Sequence, residues 1–112
     1  MVSQLRVYTI NRGMMDAWLK FYLENIVPIY RKLSIPIEAT WVNADRTEFV
    51  WVRSFDSVED LERKEKAYYA TEERKALGNT PLNYIAKIEV KLIEPVFQEE
   101  APLSPPWQLS DV

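Results

Sequence analysis

Arg6 and Tyr8 stand two positions apart in Leu5-Arg6-Val7-Tyr8-Thr9-Ile10, a run of β-branched and aromatic residues. Alternation along a strand turns both side chains to one face. Glu38, Trp51 and Arg53 fall in two later strand-like runs and can join them in a polar cluster inside an aromatic-walled cleft. A buried arginine offers a planar fork that grips a carboxylate or phenolate. A tyrosine hydroxyl can donate to a developing oxyanion. The plainer reading of the same residues is a structural ion pair between Glu38 and Arg53. A second set, Trp18, Trp41, Trp51, Tyr68, Tyr69 and Tyr84, could line a pocket for a flat apolar ligand, or could simply pack in a core. Trp41 is the least pocket-like, because its strand face is otherwise aliphatic. From these sets, Arg6, Tyr8, Glu38, Trp51, Arg53, Tyr69 and Tyr84 are the candidate ligand-binding residues.

The composition narrows the chemistry. The chain of 112 residues contains no cysteine and no histidine. Thiol nucleophiles, disulfides and thiolate metal sites are therefore absent, and so are the usual zinc ligand and the commonest general base near neutral pH. Any reaction would use Asp, Glu, Tyr, Lys, Arg or Ser. The acidic residues show no metal-ligand spacing, so no metal and no cofactor is expected. Asp56, Glu59 and Asp60 are best read as helix capping, Asp45 as a turn residue, and Glu62-Arg63-Lys64-Glu65-Lys66 as a solvated helix face. Gly13 stands alone and makes no phosphate-cradling loop. The net charge of −3 comes from interspersed charges without a basic stripe, which argues against nucleic acid. No secretory leader and no membrane-length apolar run is visible, so a soluble cytoplasmic protein is expected.

The elements that must carry these residues follow from periodicity. Leu5–Ile10 is a first strand closed by Asn11-Arg12-Gly13. From Met14 to Leu33 the apolar residues recur at helical spacing, with Asp16 early and Arg31-Lys32 late to suit the helix dipole. Pro28 predicts a kink or two helices meeting at Val27-Pro28. Ile35–Asn43 and Glu48–Phe55 form a hairpin about Asp45-Arg46. Ser57 with Asp60 caps the next helix, Thr71 caps a short one, and Gly78-Asn79 stops it. Asn83–Ile93 is the last strand. The order β-α-β-β-α-β is that of a ferredoxin-like α+β sandwich, a four-stranded antiparallel sheet with helices on one face. Residues 1–98 make this domain, and 99–112 make a proline-rich tail. In the register set by Asp45-Arg46, Val42 opposes Phe49, Thr40 opposes Trp51 and Glu38 opposes Arg53. The other face, with Ile37, Ala39, Trp41, Val50 and Val52, is wholly apolar and suits the helices. Phe49 and Trp51 would then face outward, and a second copy packed sheet against sheet would cover them. A homodimer is expected.

The ordered set of segments resembles the NIPSNAP family of dimeric α/β-barrel proteins. The likeness rests on Leu5-Arg6-Val7-Tyr8-Thr9-Ile10-Asn11-Arg12-Gly13, on Trp41-Val42, on Phe49 through Ser57, on Leu61–Lys66 leading to Tyr69-Ala70-Thr71-Glu72, and on Leu92-Ile93-Glu94-Pro95. It spans residues 4 to 98. The resemblance implies two sheets packed face to face with helices outside. It does not imply a defined reaction. Related barrels include cofactor-free monooxygenases, and also haem enzymes whose histidine ligand is missing here. Three functions are thus expected in order: a dimeric barrel that binds a small hydrophobic or aromatic ligand, a cofactor-independent monooxygenase-like enzyme on an aromatic substrate, and a structural interaction module.

Overall fold

In the computed structural model, which describes residues 1–97, strand β1 (Val2–Ile10) leads into helix α1 (Met15–Phe21). A π-helical turn, Tyr22–Ile26, joins α1 to helix α2 (Val27–Lys32). The hairpin β2 (Ile37–Val42) and β3 (Glu48–Phe55) follows, then helices α3 (Val58–Ala70) and α4 (Glu72–Leu77), a 3-10 turn (Thr80–Asn83) and strand β4 (Ile85–Ile93). The sheet order is β2-β3-β1-β4, with every neighbouring pair antiparallel. This is the ferredoxin-like arrangement that the element order implied. The tail assigned to 99–112 lies outside the described residues.

Local chemistry explains the boundaries. The Ser57 hydroxyl accepts from the Asp60 amide at 3.0 Å, and the Asp60 carboxylate accepts from the Asp56 amide at 3.0 Å, so the start of α3 is closed from both directions. At α4 the Thr71 hydroxyl supplies a single cap, accepting from the Arg74 amide at 3.1 Å. Gly78 ends α4 at φ +54°, a conformation that favours glycine. The break in the first helix comes earlier than Val27-Pro28. Pro28 has no amide to offer the carbonyl of Glu24 and its ring crowds that carbonyl. The chain responds by widening the whole preceding turn, and the Val27 amide reaches back to the Tyr22 carbonyl.

The hairpin register is as expected over most of its length. Val42 opposes Phe49, Thr40 opposes Trp51 and Trp41 opposes Val50. Between Ile37 and Ala39 the register shifts. Ile37, rather than Glu38, then opposes Arg53, and Glu38 turns to the far face, where it accepts from Ser3 at 3.1 Å and from Ser54. A bulge of this kind redirects one side chain while the rest of the ladder keeps its pairing.

The assignment of the two faces is reversed from the sequence expectation. Phe49 and Trp51 do not face outward: they are 0% and 3% exposed. They form the core with Tyr8, Trp18, Tyr22, Tyr30 and Tyr68 beneath the helices. Phe49 packs edge-on against Tyr22 and Trp18, with ring centroids 4.7 and 5.4 Å away. The face left without helices carries Leu5, Val7, Val50, Val52, Ala39 and Trp41 toward β2. Toward β4 it carries Lys87, Glu89 and Lys91. Trp41 is 54% exposed there. Which face a crossover helix covers depends on the handedness of the connection, and alternation of residue types carries no hand. Both faces of this hairpin are apolar enough to be a core.

Candidate functional site

The cleft lies between the helices and the sheet. The pleat of β1 turns Gln4, Arg6 and Tyr8 toward the helices, and β3 supplies Trp51 and Arg53 directly opposite Arg6 and Gln4. Helix α3 closes the other side with Glu65, Tyr68 and Tyr69, and α4 adds Arg74. Trp18, Ile26, Leu82 and Ile88 contribute further wall, and the enclosed space is about 80 Å³. A dry cavity that holds benzene measures about 150 Å³. In this form the cleft is therefore closed around its polar groups, and a ring would enter by displacing side chains at the mouth. Tyr69 and Leu82, both largely exposed, stand there.

Two arginines dominate the polar chemistry. Arg53 is 2% exposed. Its Nη1 donates to the Tyr30 hydroxyl at 2.7 Å, and its Nη2 donates to Gln4 Oε1 and to Glu65 Oε1, the latter at 3.1 Å. Arg6 donates through Nε to the Tyr8 hydroxyl at 2.9 Å and through Nη1 to Gln4 Oε1 at 3.1 Å. Its Nη1 also lies 3.9 Å from Glu65. The Gln4 carbonyl thus joins the two guanidinium groups. Both cations also lie against Trp51, with the guanidinium carbons 5.9 Å (Arg6) and 5.7 Å (Arg53) from the ring centre. Arg74 sits over the Tyr69 ring at 5.2 Å. Burial pushes the Tyr30 phenol well above its ordinary value. It pushes the Tyr68 phenol up to about 12, against the opposing pull of Arg74. Both stay protonated at neutral pH. Among the described residues, three buried donors have no acceptor: Trp18 Nε1, Trp51 Nε1 and Arg53 Nε. All three belong to residues that line the cleft.

Arg6, Tyr8, Trp51, Arg53 and Tyr69, all singled out from the sequence, meet in this cleft. Glu38 does not join them, because the bulge holds it on the other face of the sheet. The expected Glu38–Arg53 pair is not formed, and Glu65 pairs with Arg53 instead. Tyr84 stacks on Phe21, with centroids 5.4 Å apart, and reaches Trp18 from outside the cleft. Trp41 lies on the open face. Gln4, Tyr30, Glu65 and Arg74 were missed. For Glu65 the signal was present: Leu61, Glu65 and Tyr68 follow one another at helical spacing, so a position within the charged run falls on the buried face.

A larger hollow of about 570 Å³ opens between α2 and the edge strand β2, lined by Tyr22, Val27, Tyr30, Ile35, Ile37 and Thr40 among others. It exceeds the inner cleft in volume, but none of the three unpartnered buried donors lines it. The Tyr22 and Thr40 hydroxyls are bonded at 3.0 Å. No group of three or more potential metal-binding side chains occurs among the described residues. No helix among them is long and apolar enough to cross a membrane.

Solved structures share this architecture. An uncharacterised NIPSNAP domain protein from Burkholderia xenovorans superposes with a TM-score of 0.78 at 19% identity, covering 94% of this chain and 99% of the other. A NIPSNAP family protein from Agrobacterium tumefaciens gives 0.79 at 17% identity, covering 92% and 98%. The fold is that of the NIPSNAP proteins. A putative antibiotic biosynthesis monooxygenase from Nitrosomonas europaea superposes less closely, with a TM-score of 0.66 at 13% identity over 87% of this chain and all of that one. No protein-family profile and no curated protein sequence matches the chain. The likeness therefore concerns the fold, as the sequence resemblance implied, and leaves the chemistry to the site.

Proposed function

We propose that this NIPSNAP-like chain forms a homodimer and binds a small hydrophobic or aromatic ligand in the cleft between its sheet and its helices. One observation carries the ligand reading: two arginines and several tyrosines converge inside aromatic walls, next to buried donors that no protein atom satisfies. Buried polar groups normally find a partner in the protein, in ordered water or in a bound molecule. The dimer rests on a different observation than the sequence first suggested. Phe49 and Trp51 are covered within one chain, but the open sheet face presents the half-buried Leu5, Val7 and Val50 and the exposed Trp41. A second sheet would bury that surface by two-fold symmetry.

Native mass spectrometry of the freshly purified protein tests both parts. A dimer carrying additional small-molecule mass is the expected result. A monomer at micromolar concentration overturns the dimer. A clean dimer that also fails to take up any of a panel of small aromatics overturns the ligand reading and leaves the structural interaction module.

The likeness to the monooxygenase fold supports a second reading, oxygenation of an activated phenol by dioxygen without a cofactor: the substrate supplies all the electrons, one oxygen atom enters the ring to give a quinone and the other leaves as water. Here Arg6 would stabilise the deprotonated substrate and Tyr8 would donate to its oxygen. Oxygen uptake with a panel of phenols, lost on changing Arg6 in an intact dimer, would support it.

A further inference from the structure

We infer that the cleft selects a flat aromatic molecule bearing a negative oxygen group, a carboxylate or an oxyanion on the ring, and that Glu65 occupies the place of that group while the cleft is empty. The inference rests on the proposed aromatic-ligand reading and adds the charge of the ligand and the group that competes with it.

The charges that line the cleft are three arginines, Arg6, Arg53 and Arg74, against one carboxylate, Glu65. Nearly complete burial of Arg53 makes an uncompensated cation costly, so an anion in contact with the pair is favoured. Glu65 supplies that anion only in part. A single oxygen, Oε1, serves both arginines, at 3.1 Å to Arg53 and 3.9 Å to Arg6. The longer contact lies beyond hydrogen-bond range. Arg6 Nη2 donates no hydrogen bond among the described residues, and Arg53 Nε is an unpartnered buried donor. The arginine pair therefore retains donor capacity that its present acceptors, Glu65, Gln4 and two tyrosine hydroxyls, do not fill.

Glu65 is the member of the cluster able to yield. Its side chain is 31% exposed, it projects from α3 on a flexible stem, and it stands beside Tyr69 at the mouth. A glutamate that swings into water regains hydration, while an incoming carboxylate or oxyanion takes over its two arginines. The aromatic ring attached to that group would lie against Trp51 and Tyr8, which already flank the Arg6 guanidinium. A neutral ring of equal size gains the same walls but cannot replace the glutamate.

Benzoate and benzamide are nearly equal in shape and differ in charge, so their affinities separate the two ideas. Affinities are measured by ligand-observed NMR on the full-length protein and on Glu65→Gln, with circular dichroism confirming that the variant folds. Benzoate should bind the native protein roughly tenfold more tightly than benzamide, the difference expected for a charge-assisted contact. Glu65→Gln removes the competing charge and should tighten benzoate several-fold, and by more than it changes benzamide. Equal affinity for the two compounds would sink the anion selectivity and leave an aromatic site. Weaker or unchanged benzoate binding in Glu65→Gln would sink the role of Glu65 as a stand-in. Failure of both compounds to bind either protein would remove the aromatic-ligand reading and this inference with it.

Discussion

Replacing Phe49 by alanine tests the assignment of the helix-covered face, on which the location of the cleft depends. Phe49 is fully buried among Tyr8, Trp18, Tyr22 and Trp51, with ring centroids between 4.7 and 6.3 Å away. Burying an aromatic side chain removes about 150–200 Å² from water, and the part beyond the β-carbon is worth roughly 3 kcal/mol. Loss of the edge-to-face contacts adds about 0.5–1 kcal/mol. The expected cost of about 3–4 kcal/mol falls in the range typical of Phe→Ala in a packed core. With a urea slope of about 1–1.5 kcal/mol/M for a domain of this size, the midpoint should fall by about 2–4 M. Trp41→Ala on the open face is the control. Trp41 is 54% exposed, so the dilute protein should lose no more than about 1 kcal/mol. If the open face pairs in a dimer, that cost will grow with protein concentration. Equilibrium urea unfolding at two concentrations, followed by far-UV circular dichroism, measures both variants. A Phe49→Ala cost below about 1 kcal/mol, or a larger cost for Trp41→Ala in dilute solution, would mean that the helices cover the other face.

Other consequences are more local. Ser57→Ala and Thr71→Ala each remove a helix cap and should cost about 1 kcal/mol in thermal or urea unfolding, nearly additively because they serve different helices. The Asp56 amide, and then Lys64 and Arg63, hold the Asp60 carboxyl below its ordinary value. Its contribution is therefore complete above the unfolded carboxyl value and is lost as pH falls through the lower folded one. Melting temperatures from pH 6 to pH 2 should fall less steeply in Asp60→Asn than in the native chain, and parallel curves would contradict this. Three of the six tyrosines, Tyr22, Tyr30 and Tyr68, are raised above the ordinary phenol value by burial. Ultraviolet titration should show phenols that ionise well above the ordinary value, Tyr68 near about 12. Stability should decline as pH rises above the ordinary phenol value, because only the unfolded chain then releases those protons.

Much of this molecule is written in local pattern. The caps at Ser57 and Thr71, the stop at Gly78 and the alternating strands follow from residue types and nearest neighbours, and so does the β-α-β-β-α-β order. Physical chemistry acting over a few residues decides them. Arg6, Tyr8, Trp51 and Arg53 were also legible as a group, because alternation along two strands puts them on one face without any knowledge of the third dimension. What the pattern could not decide was which face that is. Both faces of the β2–β3 hairpin are apolar, and the choice falls to the crossover and to the volume of the helix aromatics Trp18, Tyr22, Tyr30 and Tyr68. The partner of Arg53 was equally out of reach. A bulge of one residue turned Glu38 away, and a glutamate inside a charged helical run took its place. Both outcomes depend on contacts between segments distant in sequence, where a half-turn of a helix or one extra strand residue determines which charge meets which.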